Sequence, residues 1–329
     1  MTDSDLMTDS GRVVRPDADG LRRAVEILRA DSVVAFPTET VYGLGANAFS
    51  PRAVGEIYRL KNRPGWNPLI VHVATVEAAR ELAAEWPEHA DALAGRFWPG
   101  PLTLVVRRAA HLAGVGADND TIAIRVPAHD VALRLLAASG LPLAAPSANR
   151  SESISPTTAE HVIRSLPDVP LVLDGGPCAW GIESTVLDLT TGVPTLLRPG
   201  ALALRALRDA TGAIALRDAE TEDGASRPSP GMSKRHYAPR ATVILTPDVA
   251  DVDQSGLRLP VGILTYEGSG SPGTEVLSAN PREYAADLYA ALHRLDDAGV
   301  ATILVQEPPR TEDWLAVRDR LSRAAAPAG

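Results

Sequence analysis

Residues 36–72 read FPTETVYGLGANAFSPRAVGEIYRLKNRPGWNPLIVH, and this stretch sets the architecture. The apolar run Val33-Val34-Ala35-Phe36 leading into it reads as a buried strand. Pro37 ends that strand, and Thr38, Glu39 and Thr40 follow at its carboxyl end. Ligands of open α/β sheets sit just outside such ends. Gly43 and Gly45 predict a tight turn or a close backbone approach to a ligand. Ser50-Pro51 has the form of a helix start, serine as N-cap and proline in the first turn. Val54, Ile57 and Tyr58 give that helix one apolar stripe. It ends in Lys61-Asn62-Arg63-Pro64, and Leu69 to Val73 reads as the next strand. The pattern predicts strand, loop, helix, basic loop, strand, with polar groups gathered at the loops.

Gly43, Gly45 and Ala48 match the G-x-G-x-x-A dinucleotide fingerprint, which needs an acidic residue about 20 residues further on. The chain offers Gly65-Trp66-Asn67-Pro68 instead, so the fingerprint is rejected. Lys61 could serve only to complement the helix dipole. Composition argues for more: Lys61 and Lys234 are the only lysines among 32 basic residues. A lysine kept against so strong an arginine bias points to a need for a compact ammonium.

The chain has 329 residues, enough for one or two domains, and 45% apolar with 22% charged residues is ordinary for a soluble protein. A net charge of −9 argues against indiscriminate nucleic-acid binding, DNA included. It leaves room for a local basic cleft. The single cysteine, Cys178, excludes an internal disulfide and fits a reducing compartment. No apolar run is long enough to span a membrane, and the N-terminus lacks the form of a signal peptide. The expectation is a cytoplasmic protein. Residues 1–14, opening MTDSDLMTDS, read as a disordered acidic lead in which Met1 and Met7 are both possible starts.

Helices are expected over 17–31, 75–86, 88–97, 128–139, 157–166 and 201–210. Strands are expected at 102–107, 121–126, 143–145, 170–174, 184–189 and 194–198. Strands and helices in this alternation, closing with strands, predict a mixed α/β sheet over 15–217. From 218 to 240 the composition turns acidic and rich in Ser, Gly and Pro, which reads as a linker. Beyond it, from 241 to 329, strands at 242–246, 261–265, 274–277 and 302–305 alternate with helices at 282–298 and 312–324. That is a smaller second α/β domain.

No Walker A pattern, zinc-ligand spacing or G-x-S-x-G elbow occurs. The loops supply cations and hydroxyls instead: Lys61, Arg63, Asn67, Arg125, Ser147, Asn149, Ser155 and Arg198. That inventory suits a polyanion held by charge-assisted bonds. Thr121 and Arg125 share one face of a strand, about 13 Å apart, which fits the two ends of a nucleotide and an amino acid. Cys178 has no candidate base beside it in DGGPCAWGIESTVLD, so it reads as packing. The segment SPGMSKRHYAP at 229–239 is too specific for a spacer and predicts a lid over a polyanion.

PTETVYGLG, KNRPGWNPLIVH, APSAN at 145–149 and SPGMSKRHYAP together resemble the threonylcarbamoyl-AMP synthase family. Four motifs in the right order cover nearly the whole chain. The resemblance implies a YrdC-like mixed twisted sheet with helices, followed by a smaller Rossmann-like α/β domain. It implies synthesis of threonylcarbamoyl-AMP and pyrophosphate from L-threonine, bicarbonate and ATP, for modification of tRNA adenosine beside the anticodon. By position in the motifs, Thr40, His72, Arg125, the Ala145 backbone and Ser184 would form the threonine pocket. Arg63, Asn67, Thr121, Ser147, Ser155, Arg198 and Tyr237 would hold ATP. Lys61 and Asn149, with Arg63 and Ser147, would stand near the reacting groups. Mg²⁺ would arrive with the triphosphate, since no carboxylate cage is visible and Mg²⁺ commonly binds through phosphates. The product would pass to the machinery that transfers threonylcarbamoyl to tRNA. Two other readings compete: a double-stranded RNA-binding module without nucleotide turnover, and a carbamoyl transferase acting on a protein. Only 4% aromatic residues speaks against the RNA module.

Overall fold

The computed structural model describes residues 11–112, 120–217, 235–268 and 270–327. Among these, eleven strands form one mixed sheet. Its order from edge to edge is Val13–Val14, Val172–Leu173, Val34–Phe36, Gly43–Asn47, Leu143–Ala144, Ile70–His72, Thr121–Arg125, Leu102–Arg107, Thr185–Asp188, Thr195–Arg198 and Ala215–Leu216. Ile70–His72 and Thr121–Arg125 run parallel with His72 beside Arg125, which brings two expected site residues together at the strand ends.

The helix starts follow the expected chemistry. The Ser50 side chain accepts from the Ala53 amide, with Pro51 opening the helix Pro51–Lys61. Asn62 closes it in the left-handed region, turning the chain into the basic loop. Thr75 caps Val76–Glu81, a helix shorter than expected, and Gly140 ends Asp130–Ser139.

Two sequence readings are corrected. Gly43 and Gly45 lie in a strand, Gly43–Asn47, paired antiparallel with Val34–Phe36, and not in a turn. A Cβ on Gly45 would stand 2.6 Å from Phe36 Cε1, so glycine is required by a buried ring and not by a sharp bend. The disordered lead cannot extend to residue 14, because Val13 and Val14 pair with Val172 and Leu173. Residues 1–10 lie outside the described residues.

The C-terminal unit is a parallel sheet ordered Thr242–Thr246, Thr302–Gln306, Val261–Thr265 and Thr274–Val276. The helices Pro281–Asp297 and Leu315–Ala324 accompany it. This matches the expected small α/β unit. Its core is not separate: Val41, Ile154 and Ile182 of the large unit are buried with Tyr284, Leu288, Tyr289, Leu292 and Val317. Gly181, at φ +67°, lets the large unit's backbone approach the helix Pro281–Asp297; a Cβ there would stand 2.0 Å from the Ala286 carbonyl oxygen.

Residues 218–234, most of the expected linker with Lys234, lie outside the described residues. Residues 235–240 touch both units. The His236 amide donates to Arg323 O and the Ala238 amide to Glu152 O.

Candidate active site

A cavity of about 520 Å³, its mouth included, is lined by the large unit and completed by His236 and Tyr237. All five residues expected around threonine, Thr40, His72, Arg125, Ala145 and Ser184, line it. Arg125 is 3% exposed and fixed on three sides. Its Nε donates to Gly100 O, its Nη1 donates to Thr40 Oγ1 at 2.9 Å, and its Nη2 lies 2.7 Å from Glu39 Oε1. His72 is pushed down to about 3 by burial and by the Arg125 charge, so its ring is neutral at pH 7. Its Nδ1 has no hydrogen-bond partner within the protein. Ala145 spends its amide on Ile70 O, leaving only its carbonyl for a ligand. Ser184 Oγ stands between Thr103 Oγ1 at 2.8 Å and Arg198 Nη2 at 3.1 Å.

Of the residues expected around ATP, Arg63, Ser147, Arg198 and Tyr237 line the same cavity. The others stand behind them. Asn67 holds the Arg63 guanidinium, accepting from Nη2 at 2.6 Å through its side chain and from Nε through its carbonyl. Burial pushes Arg63 down to about 10, which leaves it charged at pH 7. Lys61 donates to Ser147 O at 2.6 Å, to Asn149 O at 2.5 Å and to Asn149 Oδ1 at 3.4 Å. Three oxygen acceptors require the ammonium, although burial and Arg63 lower its proton affinity. Asn149 Oδ1 also accepts from Ser147 Oγ. Lys61 and Asn149 therefore brace the loop that presents Ser147. Ser155 gives its hydroxyl hydrogen to Glu183 at 2.6 Å, so it has none left for a phosphate. Thr121, paired with Arg107 at the other end of the strand from Arg125, is outside the cavity wall.

Tyr237 is 1% exposed, at φ +61°, a backbone position costly for a bulky residue. Its ring packs against His236, Tyr289 and the Arg320 guanidinium, and its hydroxyl has no hydrogen-bond partner within the protein.

Sequence reasoning missed Glu183 and Arg320, and placed Glu39 at the strand end and His236 in the SPGMSKRHYAP segment without giving either a role of its own. Glu183 lines the cavity. Burial raises its proton affinity, but Arg320, Arg198 and the Ser155 hydroxyl outweigh that and bring it down to about 2. A charged residue within GIESTVLD was the only available signal. Cys178 is buried with its thiol pushed up by that burial, the condition of an inert packing residue. Among the described residues, no three His, Cys, Asp or Glu side chains are arranged to hold a metal ion, and no helix is long and apolar enough to cross a membrane.

Residues 26–200 match the family model described as Telomere recombination, and residues 202–326 match that of the threonylcarbamoyl-AMP synthase C-terminal domain. The threonylcarbamoyl-AMP synthase of Pyrococcus abyssi is 42% identical over 320 residues, covering 93% of this chain and 94% of that protein. That of Bacillus subtilis is 41% identical, covering 93% and 92%. The crystal structure of P. abyssi Sua5 complexed with L-threonine aligns with a TM-score of 0.86 at 40% identity, covering 95% and 96% of the two chains. With both family models matched in sequence order and both units aligned to one solved fold, the chain belongs to the threonylcarbamoyl-AMP synthase family, in its long two-domain form.

Proposed function

We infer that this chain makes threonylcarbamoyl-AMP and pyrophosphate from L-threonine, bicarbonate and ATP. One observation carries the reading: a single cavity wall joins three buried guanidiniums, Arg63, Arg125 and Arg198, to the hydroxyls of Thr40, Ser147 and Ser184 and to a neutral imidazole. Buried cations cost free energy unless they meet anions; threonine brings a carboxylate, and bicarbonate and ATP are themselves anions.

Arg125, fixed by Gly100 O, Thr40 and Glu39, would take the threonine carboxylate. His72 Nδ1 would accept a hydrogen from the amino acid. Arg63, Arg198, Ser147 and Tyr237 would hold ATP, which enters as its Mg²⁺ complex with the metal carried on the phosphates. The threonine amine, freed of its ammonium proton, bonds to the bicarbonate carbon; a C–O bond breaks and water leaves, which gives the carbamate. An oxygen of the resulting carbamate then attacks the α-phosphorus, and pyrophosphate leaves. Positioning two anions side by side, with charge stabilisation at the phosphorus, is the protein's main contribution. The product is a reactive mixed anhydride, which supports hand-off to machinery that modifies tRNA. The cytoplasm is the expected compartment.

The RNA-binding alternative needs cations on an open surface. Here Arg63, Arg125 and Arg198 are 8%, 3% and 4% exposed, inside a cavity. The test is pyrophosphate release from ATP with threonine and bicarbonate each omitted in turn. Release should need both; equal release without threonine contradicts the synthase reading.

A further inference from the structure

Glu183 is an electrostatic anomaly: a carboxylate in the wall of a cavity otherwise lined by Arg63, Arg125 and Arg198. It is 7% exposed and ionised, and hydrogen bonds from three side chains hold it. Ser155 Oγ donates to Oε1 at 2.6 Å, and the Tyr289 hydroxyl reaches Oε1 at 3.3 Å and Oε2 at 3.0 Å. Arg320 Nε donates to Oε2 at 2.8 Å. Tyr289 and Arg320 both belong to the C-terminal unit, on its two helices. Arg320 also donates to Pro199 O and lies over the Tyr237 ring at 5.0 Å, and the Tyr289 ring stacks on Tyr237 at 5.7 Å. Arg320 Nη1 also donates to Asp319 Oδ2 at 2.7 Å, and Arg198 adds positive charge near Glu183; Arg320 is thus the arginine of the second unit that is bonded to the carboxylate in the cavity wall and backs the tyrosine beside it.

We propose that Arg320, assisted by Tyr289, is a positioning residue for the ATP half of the site: it cancels the Glu183 charge that would repel a triphosphate and seats Tyr237 against the cavity. ATP affinity then depends on the C-terminal unit being docked, although that unit places neither Arg320 nor Tyr289 in the cavity wall. This rests on the reading that the cavity binds ATP. The carboxylate's oxygens are spent on Ser155, Tyr289 and Arg320, so its part is structural electrostatics and not metal ligation. Two like charges in a poorly solvated cavity repel strongly, whereas a paired carboxylate presents almost no net charge to the nucleotide.

The test uses the full chain and measures ATP binding by calorimetry and threonine KM by pyrophosphate release. Arg320→Met should weaken ATP by about tenfold or more while threonine KM moves by less than about threefold. Adding Glu183→Gln to Arg320→Met should bring ATP affinity back to within about threefold of the parent, because the uncompensated charge is gone. Glu183→Gln alone should not weaken ATP. If both single variants weaken ATP equally and the double variant is no better, the pair is only a clasp between units and the proposal is wrong. Loss of ATP binding or a raised Mg²⁺ requirement in Glu183→Gln also overturns it. Should Arg320→Met fail to fold, Tyr289→Phe keeps the stacked ring and removes one donor; it should weaken ATP about threefold, corrected by Glu183→Gln, and unchanged affinity overturns the proposal. Arg63→Ala separates the two readings. If it weakens ATP and Arg320→Met does not, only this inference fails; if the parent chain binds no ATP, the functional reading fails.

Discussion

Lys61 and Ser147, 86 residues apart in sequence, meet at 2.6 Å through the lysine ammonium and the serine carbonyl. The same ammonium reaches the carbonyl and the side chain of Asn149. The lysine kept against the arginine bias therefore shapes the loop that carries Ser147. Lys61→Ala leaves buried oxygens without donors, at about 1–3 kcal/mol each. It should lower the urea midpoint and reduce turnover about 10²-fold, as loss of organised charge does elsewhere. Lys61→Arg should rescue neither, because a planar fork does not fit three converging acceptors. Denaturation and pyrophosphate release on both variants check this.

Arg125 is bound by shape as much as by charge. Its three nitrogens are committed to Gly100 O, Thr40 and Glu39. Arg125→Lys keeps the charge beside Glu39 but loses the fork. Threonine KM should rise about 10- to 100-fold, while KM for ATP changes by less than about threefold. A rise shared equally by both substrates would show that Arg125 does not belong to the amino-acid half.

The rings of His161 and His293 stack across the interface between the units, with centroids 3.8 Å apart. Burial pushes them down to about 3 and about 4, and for His161 the neighbouring ring adds to that. Both are neutral in the folded protein when an exposed histidine, titrating near 6.5, takes up a proton. The unfolded chain then binds more protons, so stability falls as the pH drops from about 6.5 towards 4 and is regained above it. His161→Phe should flatten that slope while keeping an aromatic contact. Urea midpoints between these limits measure it; an unchanged slope contradicts the assignment.

Gly45 exists for the Phe36 ring. Gly45→Ala forces a Cβ to 2.6 Å from Phe36 Cε1 and 3.2 Å from Cδ1. Overpacking of this kind costs about 1–3 kcal/mol. Phe36 also meets His72 edge to face at 6.2 Å, so the displaced ring should disturb the threonine side of the cavity. Phe36→Leu combined with Gly45→Ala should recover much of the loss in thermal unfolding.

What the sequence made legible was local. Ser50-Pro51 announced a helix start because capping is written in adjacent residues. His72 and Arg125 were legible as strand residues, and their parallel pairing put them side by side. Of the two meanings offered for Gly43 and Gly45, the turn was wrong, because the need for glycine at Gly45 comes from a ring across the strand pair, while Gly43 does line the cavity. Glu183 and Arg320 were missed for a related reason. They are 137 residues apart, and neither has a local pattern that names the other. Ser155 was seen as a hydroxyl but not as one whose hydrogen was already spent.

The most direct test of the account follows the carbon. The full chain is incubated with ¹³C-bicarbonate, L-threonine and ATP, and the nucleotide products are resolved by mass spectrometry. An adenylate that contains threonine and one ¹³C should form together with pyrophosphate. Pyrophosphate accompanied by a threonine adenylate without the labelled carbon, or by AMP alone at the earliest times, would contradict it.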